Sequence, residues 1–283
     1  MQAFALSGKK RIVNHGMCFS KGNLDLGSRL SENFMDDPLI PGLPDDVAKQ
    51  CLALVPRARF PSMGSVCKKW RFVVQSKEFI TVRRLAGMLE EWLYVLTMNA
   101  GGKDNRWEVM DCLGQKLSSL PPMPGPAKTG FKVVVVDGKL LVIAGCCMIN
   151  GSLVASADVY QYDTCLNSWS RLADLEVARY DFACAEVNGH VYVVGGHGVD
   201  GESLSSAEVY DPETCTWTFI ESLRRPRWGC FASAFNGKLY VMGGRSNFTI
   251  GNSKLLDVYN TQCGSWHGSK NGLTVSLFES FAH

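Results

Sequence analysis

The chain has 283 residues, of which 46% are hydrophobic and 20% charged, with a formal net charge of +2 at pH 7. This composition is typical of a globular protein, and so small a net charge gives no indication of a nucleic-acid partner. The most apolar stretch, residues 131–149, is interrupted by Asp137 and Lys139, so we expect no membrane span.

The charges divide the chain into two parts. Residues 38–88 carry nine basic and three acidic side chains, whereas residues 89–283 carry 15 and 20. Eleven cysteines are present, but none stands in a CxxC pair or in a zinc-binding spacing. We therefore expect two domains with different partners, no metal or other cofactor, and a reducing compartment that is cytoplasmic and/or nuclear.

The N-terminal segment, residues 1–37, lacks the unbroken apolar core of a signal peptide, because Lys9, Lys10 and Arg11 interrupt it early. The Lys-Lys-Arg run is open to two interpretations, a weak nuclear signal or a solvated basic tail. We expect residues 1–37 to form a disordered tail.

The next segment, residues 38–84, has the periodicity of short helices. Val47, Cys51 and Leu54 recur at the spacing of one helical face, and a second helix is expected along residues 63–74. Roughly 45 residues of short helices make only a small core, so this segment is expected to depend on a partner surface.

Residues 126–268 contain one pattern three times, at a period of about 48 residues. Each unit has a basic residue, an Asp-Gly or Asn-Gly pair nine positions later, a Val-Tyr pair and a Trp. Asn-Gly and Asp-Gly accept positive φ at both central positions of a turn, so they predict hairpins, and four strands per unit match a propeller blade. The turns are Asp137-Gly138, Asn188-Gly189 and Asn236-Gly237; the basic residues are Lys128, Arg179 and Arg227; the aromatic residues are Tyr160, Tyr210, Tyr259, Trp169, Trp217 and Trp266.

The glycine pairs Gly195-Gly196 and Gly243-Gly244 follow the second strand of their units. A phosphate-binding loop would need a glycine-rich motif that opens a helix, and no such motif is present here. A close approach of backbone that a Cβ would block is favoured instead. The first unit departs from the pattern with Ala144-Gly145.

An earlier partial unit carries Trp92, Tyr94, Gly101-Gly102 and Trp107 at comparable places. Propellers close with typically 4–8 blades, so either four blades form a small ring or the chain is a truncated form of a longer protein, the interpretation that we favour. The expected boundaries are 91–125 for the partial unit, about 126–175, 176–223 and 224–268 for the full units, and 271–283 for an irregular tail.

These landmarks resemble the kelch repeat. The entry Leu-Pro-Asp-Asp-Val, the helix Cys-Leu-Ala-Leu-Val-Pro and the helix Val-Cys-Lys-Lys-Trp resemble an F-box. The order of the two resembles that of plant F-box/kelch-repeat proteins over about residues 38–270. The resemblance implies an α+β multidomain chain, with a small all-α F-box at residues 38–84 followed by an all-β kelch propeller of about 3.5 blades at residues 85–270.

The resemblance also implies a function. F-box domains dock onto a Skp-family adaptor, which connects to a cullin and a RING subunit, while the kelch propeller holds a protein substrate for ubiquitin transfer. The chain would then be a non-catalytic substrate-recognition subunit, and its basic F-box segment would favour an acidic partner. The residues expected to contact the adaptor are apolar: Leu39, Ile40, Leu43, Pro44, Val47, Leu52, Leu54, Val55, Val66, Cys67 and Trp70.

Substrate recognition is expected on loops between strands, where Arg, Tyr and Trp dominate interface energies. A competing interpretation holds for the two arginines that recur at the repeat period, which could instead pair with blade carboxylates such as Asp163 or Asp211. The candidates are Arg179, Tyr180, Arg227, Trp228 and Arg245.

Two other classes of function remain open. One is a kelch scaffold that does not engage a ligase, or a truncated competitor of a full-length form. The other is an oxidoreductase, since some kelch propellers are copper oxidases. The histidines argue against the second, because His190 and His197 are interpreted as solvated loop residues and no catalytic motif accompanies them.

Overall fold

The computed structural model of the chain describes residues 2–5, 37–98, 105–248 and 256–269. The chain divides into two compact units. The first contains Met1–Pro122 and Tyr162–Trp169, and the second contains Met123–Gln161 and Ser170–His283. A short piece of the first full repeat unit, about residues 126–175, therefore belongs with the helices.

Short helices form the segment that resembles an F-box. The expected helix along residues 63–74 is broken at Cys67, which has an extended backbone (φ −157°, ψ 166°). The Sγ of Cys67 accepts a hydrogen bond from the backbone N–H of Trp70 and so caps the helix that follows. The elements are α1 (Asp45–Ala53), a 3₁₀ turn (Arg57–Arg59), α2 (Phe60–Val66), α3 (Lys68–Gln75) and α4 (Lys77–Leu85).

The described strands form four antiparallel sheets of four strands each, in which neighbouring strands follow one another along the chain. This is the arrangement expected of propeller blades. Sheet 1 contains β1 (Gln2–Ala5), β2 (Leu93–Met98), β3 (Asn105–Met110) and β4 (Lys116–Ser119); sheet 2 contains β5 (Lys132–Val136), β6 (Lys139–Ile149), β7 (Ser152–Asp163) and β8 (Ser168–Arg171); sheet 3 contains β9 (Ala183–Val187), β10 (His190–Val194), β11 (Ala207–Asp211) and β12 (Thr216–Ile220); sheet 4 contains β13 (Phe231–Phe235), β14 (Lys238–Met242), β15 (Leu256–Asn260) and β16 (Ser265–Ser269).

The three predicted hairpin turns are present. Val187 pairs with His190 on either side of Asn188-Gly189, and these two turn residues have φ of 53° and 88°. The other two turns have the same register and also have positive φ at both residues. Each Asp-Gly or Asn-Gly pair thus joins the first two strands of its sheet.

The glycine pairs allow neighbouring sheets to approach closely. A Cβ on Gly195 would lie 2.4 Å from the backbone oxygen of Arg227, and one on Gly196 would lie 2.7 Å from that of Tyr180. The N–H of Gly196 donates to the same Arg227 carbonyl at 2.9 Å, so the pair carries a hydrogen bond to the next repeat. These contacts agree with the expectation that the glycine pairs permit a close approach of backbone.

The repeat tryptophans join each sheet to the previous one. The indole Nε1 of Trp217 donates to the carbonyl of Ala173 at 3.1 Å, and that of Trp169 donates to Pro121 at 2.8 Å. Trp217 is also paired across the strands with Tyr210, with ring centroids 5.1 Å apart.

Two sequence assignments within the repeats need correction. The tyrosine that contacts Trp169 is Tyr162, at 5.3 Å, so Tyr162 rather than Tyr160 is the equivalent of Tyr210. Trp107 lies in β3, the third strand of its sheet, whereas the repeat tryptophans lie in the fourth. Both corrections follow from the position of each residue relative to the turn between the third and fourth strands.

The first sheet takes its outer strand from the beginning of the chain. Gln2–Ala5 pairs antiparallel with β2 in the register Gln2 to Leu96, within the segment that the sequence assigns to a disordered tail. The remaining tail residues 6–36, the Gly101-Gly102 pair and the C-terminal tail 271–283 lie outside the described residues.

Candidate protein-interaction surfaces

Helix α1 is apolar on two sides: one side is buried in the helical core and the other is exposed. Ala48 and Leu52 are buried in the helical core, whereas Val47 is 38% and Leu54 is 59% exposed. Pro44, Val47, Cys51 and Leu54 follow one another at intervals of three or four residues, so they share one side of the helix. These exposed residues and the neighbouring Leu43 form what we call the α1 face.

The other predicted adaptor contacts have different surroundings. Val66 and Cys67 are exposed at the junction of α2 and α3, and Ile40, Val55 and Trp70 are half-buried. Leu39 and Leu52 are each only 4% exposed. These two leucines already pack in the helical core, so the structure assigns them to the stability of the segment rather than to a free docking surface.

The lead-in to α1 is held by hydrogen bonds. The carboxylate of Asp45 accepts from the backbone N–H of Leu39 at 2.6 Å and from Lys69 at 3.2 Å. The backbone hydrogen bond from Leu39 and the contact with Lys69 hold the pKa of Asp45 below its usual value. The indole Nε1 of Trp70 donates to the Leu39 carbonyl at 2.8 Å. Leu43 and Pro44 are therefore presented on a fixed loop.

Arg179 and Arg227, two of the predicted substrate contacts, are buried inside their sheets. Arg179 is 0% exposed and donates to Glu208 at 2.7 Å, and Arg227 donates to Asp257. The competing interpretation of a structural pairing is correct in kind, but the carboxylates are not Asp163 or Asp211. They lie in the third strand of each sheet, two residues before the repeat tyrosine, which is a sequence signal that could have identified them.

Lys128 plays the same part in the second sheet with a shifted partner. It is 2% exposed and contacts Asp158, and its ammonium group lies over the ring of Tyr160 at 5.4 Å. Tyr160 stands where Glu208 stands in the next sheet, two residues before the repeat tyrosine Tyr162. The carboxylate that pairs with the basic residue therefore lies two positions earlier in its strand than Glu208 does.

Tyr180, His197, Trp228 and Arg245 form a continuous row, which we call the aromatic row. The rings of Tyr180 and His197 are 4.9 Å apart, those of His197 and Trp228 are 4.5 Å apart, and the guanidinium of Arg245 lies 5.9 Å from the Trp228 ring. Arg245 is exposed, while Tyr180 and Trp228 are half-buried. The structure therefore brings together three of the five predicted substrate contacts.

Backbone bridges hold the aromatic row in place. Tyr180 and His197 exchange backbone hydrogen bonds of 3.1 and 2.8 Å, and Trp228 and Arg245 exchange two of 2.8 Å. His197, which the sequence assigns to a solvated loop, is instead stacked between two rings, and its Nδ1 donates a hydrogen bond to the Gly201 carbonyl at 3.0 Å. Its position directly after a glycine pair is the signal that could have placed it in the row.

A second exposed feature was not expected from the sequence. Strands β6 and β7 are 11 and 12 residues long, about twice the length of their counterparts in sheets 3 and 4. Their tip exposes four large apolar side chains, Met148, Ile149, Leu153 and Val154, and the segment 144–157 carries no charge. The turn between the two strands is Asn150-Gly151, with φ of 51° and 80°, so an Asn-Gly pair outside the repeat period was the sequence signal for this hairpin.

Other kinds of site find no support in the described part of the chain. No group of three or more His, Cys, Asp or Glu side chains there is placed to hold a metal ion. None of the helices in the same part has the length and hydropathy needed to cross a bilayer.

Comparison with known families accounts for both segments. Residues 40–81 match the F-box domain, and residues 127–176, 178–224 and 226–268 match the Kelch motif. The F-box/kelch-repeat protein At1g27420 of Arabidopsis thaliana is 43% identical over 248 residues, which cover 85% of this chain and 70% of that protein. This chain is an F-box/kelch-repeat protein.

A second relative is longer than this F-box/kelch-repeat protein. The F-box/kelch-repeat protein At1g16250 of Arabidopsis thaliana is 30% identical over 82% of this chain, but the match covers only 62% of that relative. A solved structure titled "Structure of YjhT" matches with a TM-score of 0.55 at 16% identity, over 65% of this chain and 63% of that chain. This likeness supports the fold alone.

Proposed function

We propose that this F-box/kelch-repeat protein is the substrate-recognition subunit of a cullin–RING ubiquitin ligase and has no catalytic site of its own. Its F-box helices bind a Skp-family adaptor, and through it a cullin and a RING subunit. Its kelch sheets bind a target protein. The proposal includes a cytoplasmic or nuclear location, where such ligases work.

The observation that carries the proposal is the outward orientation of the α1 face. A partner that covered Val47 and Leu54 would gain from their burial, because full burial of a large aliphatic side chain is worth about 1.5–3 kcal/mol. The helical core is filled by Ala48, Leu52 and Ala53. The exposed residues are thus available as apolar anchors for a groove on the adaptor.

Binding of the full chain to purified Skp-family adaptors tests this role. Val47→Asp and Leu54→Asp each place a charge on the α1 face and are expected to weaken the affinity about 30-fold or more, the size of a hot-spot effect. Leu153→Asp, an exposed apolar position on the β6–β7 hairpin, is the matched control and should bind like the wild type. Unchanged binding by both α1 variants would reject the α1 face as the docking surface.

The target-binding part of the proposal rests on the aromatic row. Tyr, Trp and Arg are the residues that most often dominate interface energies, and here three of them are held in fixed positions by backbone bridges. Proteins that the wild-type chain captures, and that are ubiquitinated by the assembled ligase, should no longer be captured by Trp228→Ala or Arg245→Glu, whose positions lie away from the F-box helices in sequence. Capture that survives both changes would move the target site elsewhere.

A kelch scaffold that does not engage a ligase is the alternative function. It predicts that no adaptor binds the full chain while targets still bind through the aromatic row. The adaptor measurement therefore separates the two.

A further inference from the structure

One turn of the second sheet lies against the F-box helices. The carboxylate of Asp163 accepts a hydrogen bond from Gln75 of α3 at 3.1 Å, and the hydroxyl of Thr164 accepts one from Arg57 at 2.9 Å. The thiol of Cys165 donates to the carbonyl of Val74 at 3.4 Å. These residues, which we call the 163–165 turn, belong to the same compact unit as the helices.

Cys165 also takes part in the hydrophobic core of the helices. It is half-buried and packs against the cluster that contains Phe60, Met63 and Val74. A residue about 90 positions further along the chain than the middle of α3 therefore completes the F-box core. For a core this small, each added apolar contact is a considerable share of the stability.

The same region is connected to the start of the first sheet by charged groups. Arg83 is 3% exposed and donates to the carbonyls of Ala53, Val55 and Met88 at 2.7, 2.5 and 2.5 Å. Its guanidinium thus joins the end of α1 to the segment before β2.

Glu90 and Arg57 extend this connection. Glu90 accepts hydrogen bonds from the backbone N–H of Arg57 at 2.9 Å and from the indole of Trp92 at 3.2 Å. The guanidinium of Arg57 lies 4.6 Å from the centroid of the Trp92 ring while it donates to Thr164. Arg57 is therefore the point at which the 3₁₀ turn, the start of sheet 1 and the 163–165 turn meet.

The 163–165 turn differs from the equivalent turns of sheets 3 and 4 in the side chain at its third position. Asp163, Asp211 and Asn260 each accept a hydrogen bond from the backbone N–H two residues later, so the three turns share one local geometry. The residue at that later position is Cys165 in the turn on the helices, but Glu213 and Gln262 in the other two, where it is exposed. The buried turn carries a small apolar side chain, as its position against the helical core requires.

We propose that the 163–165 turn of the second kelch sheet is an integral part of the F-box, and that the F-box helices are not an independently stable module. The turn positions the helices: it packs against the core beside α3 and accepts a hydrogen bond from Arg57, whose backbone N–H donates to Glu90. The adaptor-binding role of those helices rests on the proposed function, but their dependence on the turn does not.

Hydrogen exchange of the full chain, followed peptide by peptide, tests the dependence directly. Cys165→Asp places a charge against the helical core and should accelerate exchange of the α1 and α3 amides at least 10-fold. Gln262→Asp makes the same change at the equivalent exposed position and should leave the helices unaffected. Thr164→Val keeps the shape but removes the acceptor for Arg57, and should accelerate exchange about 2–5-fold.

Exchange in sheets 3 and 4 serves as the internal reference, because those sheets should remain as protected in Cys165→Asp as in the wild type. Unchanged helix exchange in Cys165→Asp would overturn the proposal. General loss of protection in Cys165→Asp, together with unchanged helix exchange in Thr164→Val, would overturn it as well. Adaptor affinity is measured on the same samples: absence of binding by the wild type would reject the proposed function and leave the exchange result intact.

Discussion

At the scale of single residues, a buried charge is costly unless a counter-charge and hydrogen bonds compensate for its lost hydration. Burial lowers the pKa of Arg179, and the carboxylate of Glu208 opposes that shift. The guanidinium also donates to the carbonyls of Gly195 and Ser206 at 2.7 and 3.0 Å. Glu208 in turn accepts from two backbone N–H groups, one of them Glu176 at 2.7 Å. The pair therefore connects the end of β10, the start of β11 and the segment between β8 and β9.

Removal of one partner should be strongly destabilising. Glu208→Gln leaves the Arg179 charge buried without its counter-charge, and we expect the free energy of unfolding to fall by about 3–5 kcal/mol, measured in urea. Asp174→Asn breaks the exposed Arg171–Asp174 pair and should change the free energy of unfolding far less, because solvent screens an exposed ion pair. Equal effects of the two substitutions would contradict the structural role of the buried pair.

The Lys128–Asp158 pair should be visible in the pH dependence of stability. Burial alone would raise the pKa of Asp158, but hydrogen bonds from Lys128 and Ser156 outweigh it and hold the pKa below its usual value. A depressed carboxyl pKa stabilises the fold above the unfolded-state pKa of about 3.9, and this stability is lost as the pH falls through the folded-state pKa. The stability difference between wild type and Asp158→Asn should therefore be constant from about pH 7 to 5 and shrink below about pH 4.

At the scale of elements, substitution of a turn glycine and of a glycine in a Gly-Gly pair separates the cost of backbone strain from the cost of a steric clash. Gly189→Ala meets positive φ but nothing within 4 Å, so it should cost about 1–2 kcal/mol. Gly195→Ala has a similar φ, and its Cβ would also lie 2.4 Å from the backbone oxygen of Arg227, so it should cost about 1–3 kcal/mol more. Urea midpoints of the two variants measure the difference, and equal midpoints would remove the close approach as the reason for the glycine.

How much of these elements the sequence could predict depends on which interactions define them. The turns at Asn188-Gly189 and its equivalents were predictable, because two-residue hairpins depend on the φ of two adjacent residues. The exposure of Val47 could not be predicted from the helical period, which identifies an apolar face without saying whether it meets the core or a partner; only the resemblance to an F-box indicated it. The packing of Cys165 against the helices depends on residues far apart in sequence, which no local pattern encodes.

At the scale of the whole molecule, the first sheet has a different origin from the other three. Sheets 2 to 4 each come from one continuous repeat, whereas sheet 1 takes β1 from the first residues of the chain and β2 to β4 from residues 93–119. The sequence indicated only a partial unit there, because a four-residue strand separated from its partner by the F-box leaves no repeat signature.

The contribution of β1 can be measured by deletion. Without Gln2–Ala5, strand β2 presents unpaired backbone groups along Leu93–Leu96, next to the buried Tyr94 and Val95. An unpaired apolar edge is a template for association with another chain, so we expect a chain lacking residues 2–5 to form oligomers detectable by light scattering at concentrations where the wild type does not. Deletion of residues 279–283 is the control of similar length. A monodisperse deletion variant would mean that β1 does not protect this edge, and that β2 is kept from association by its own twist or by the neighbouring helices.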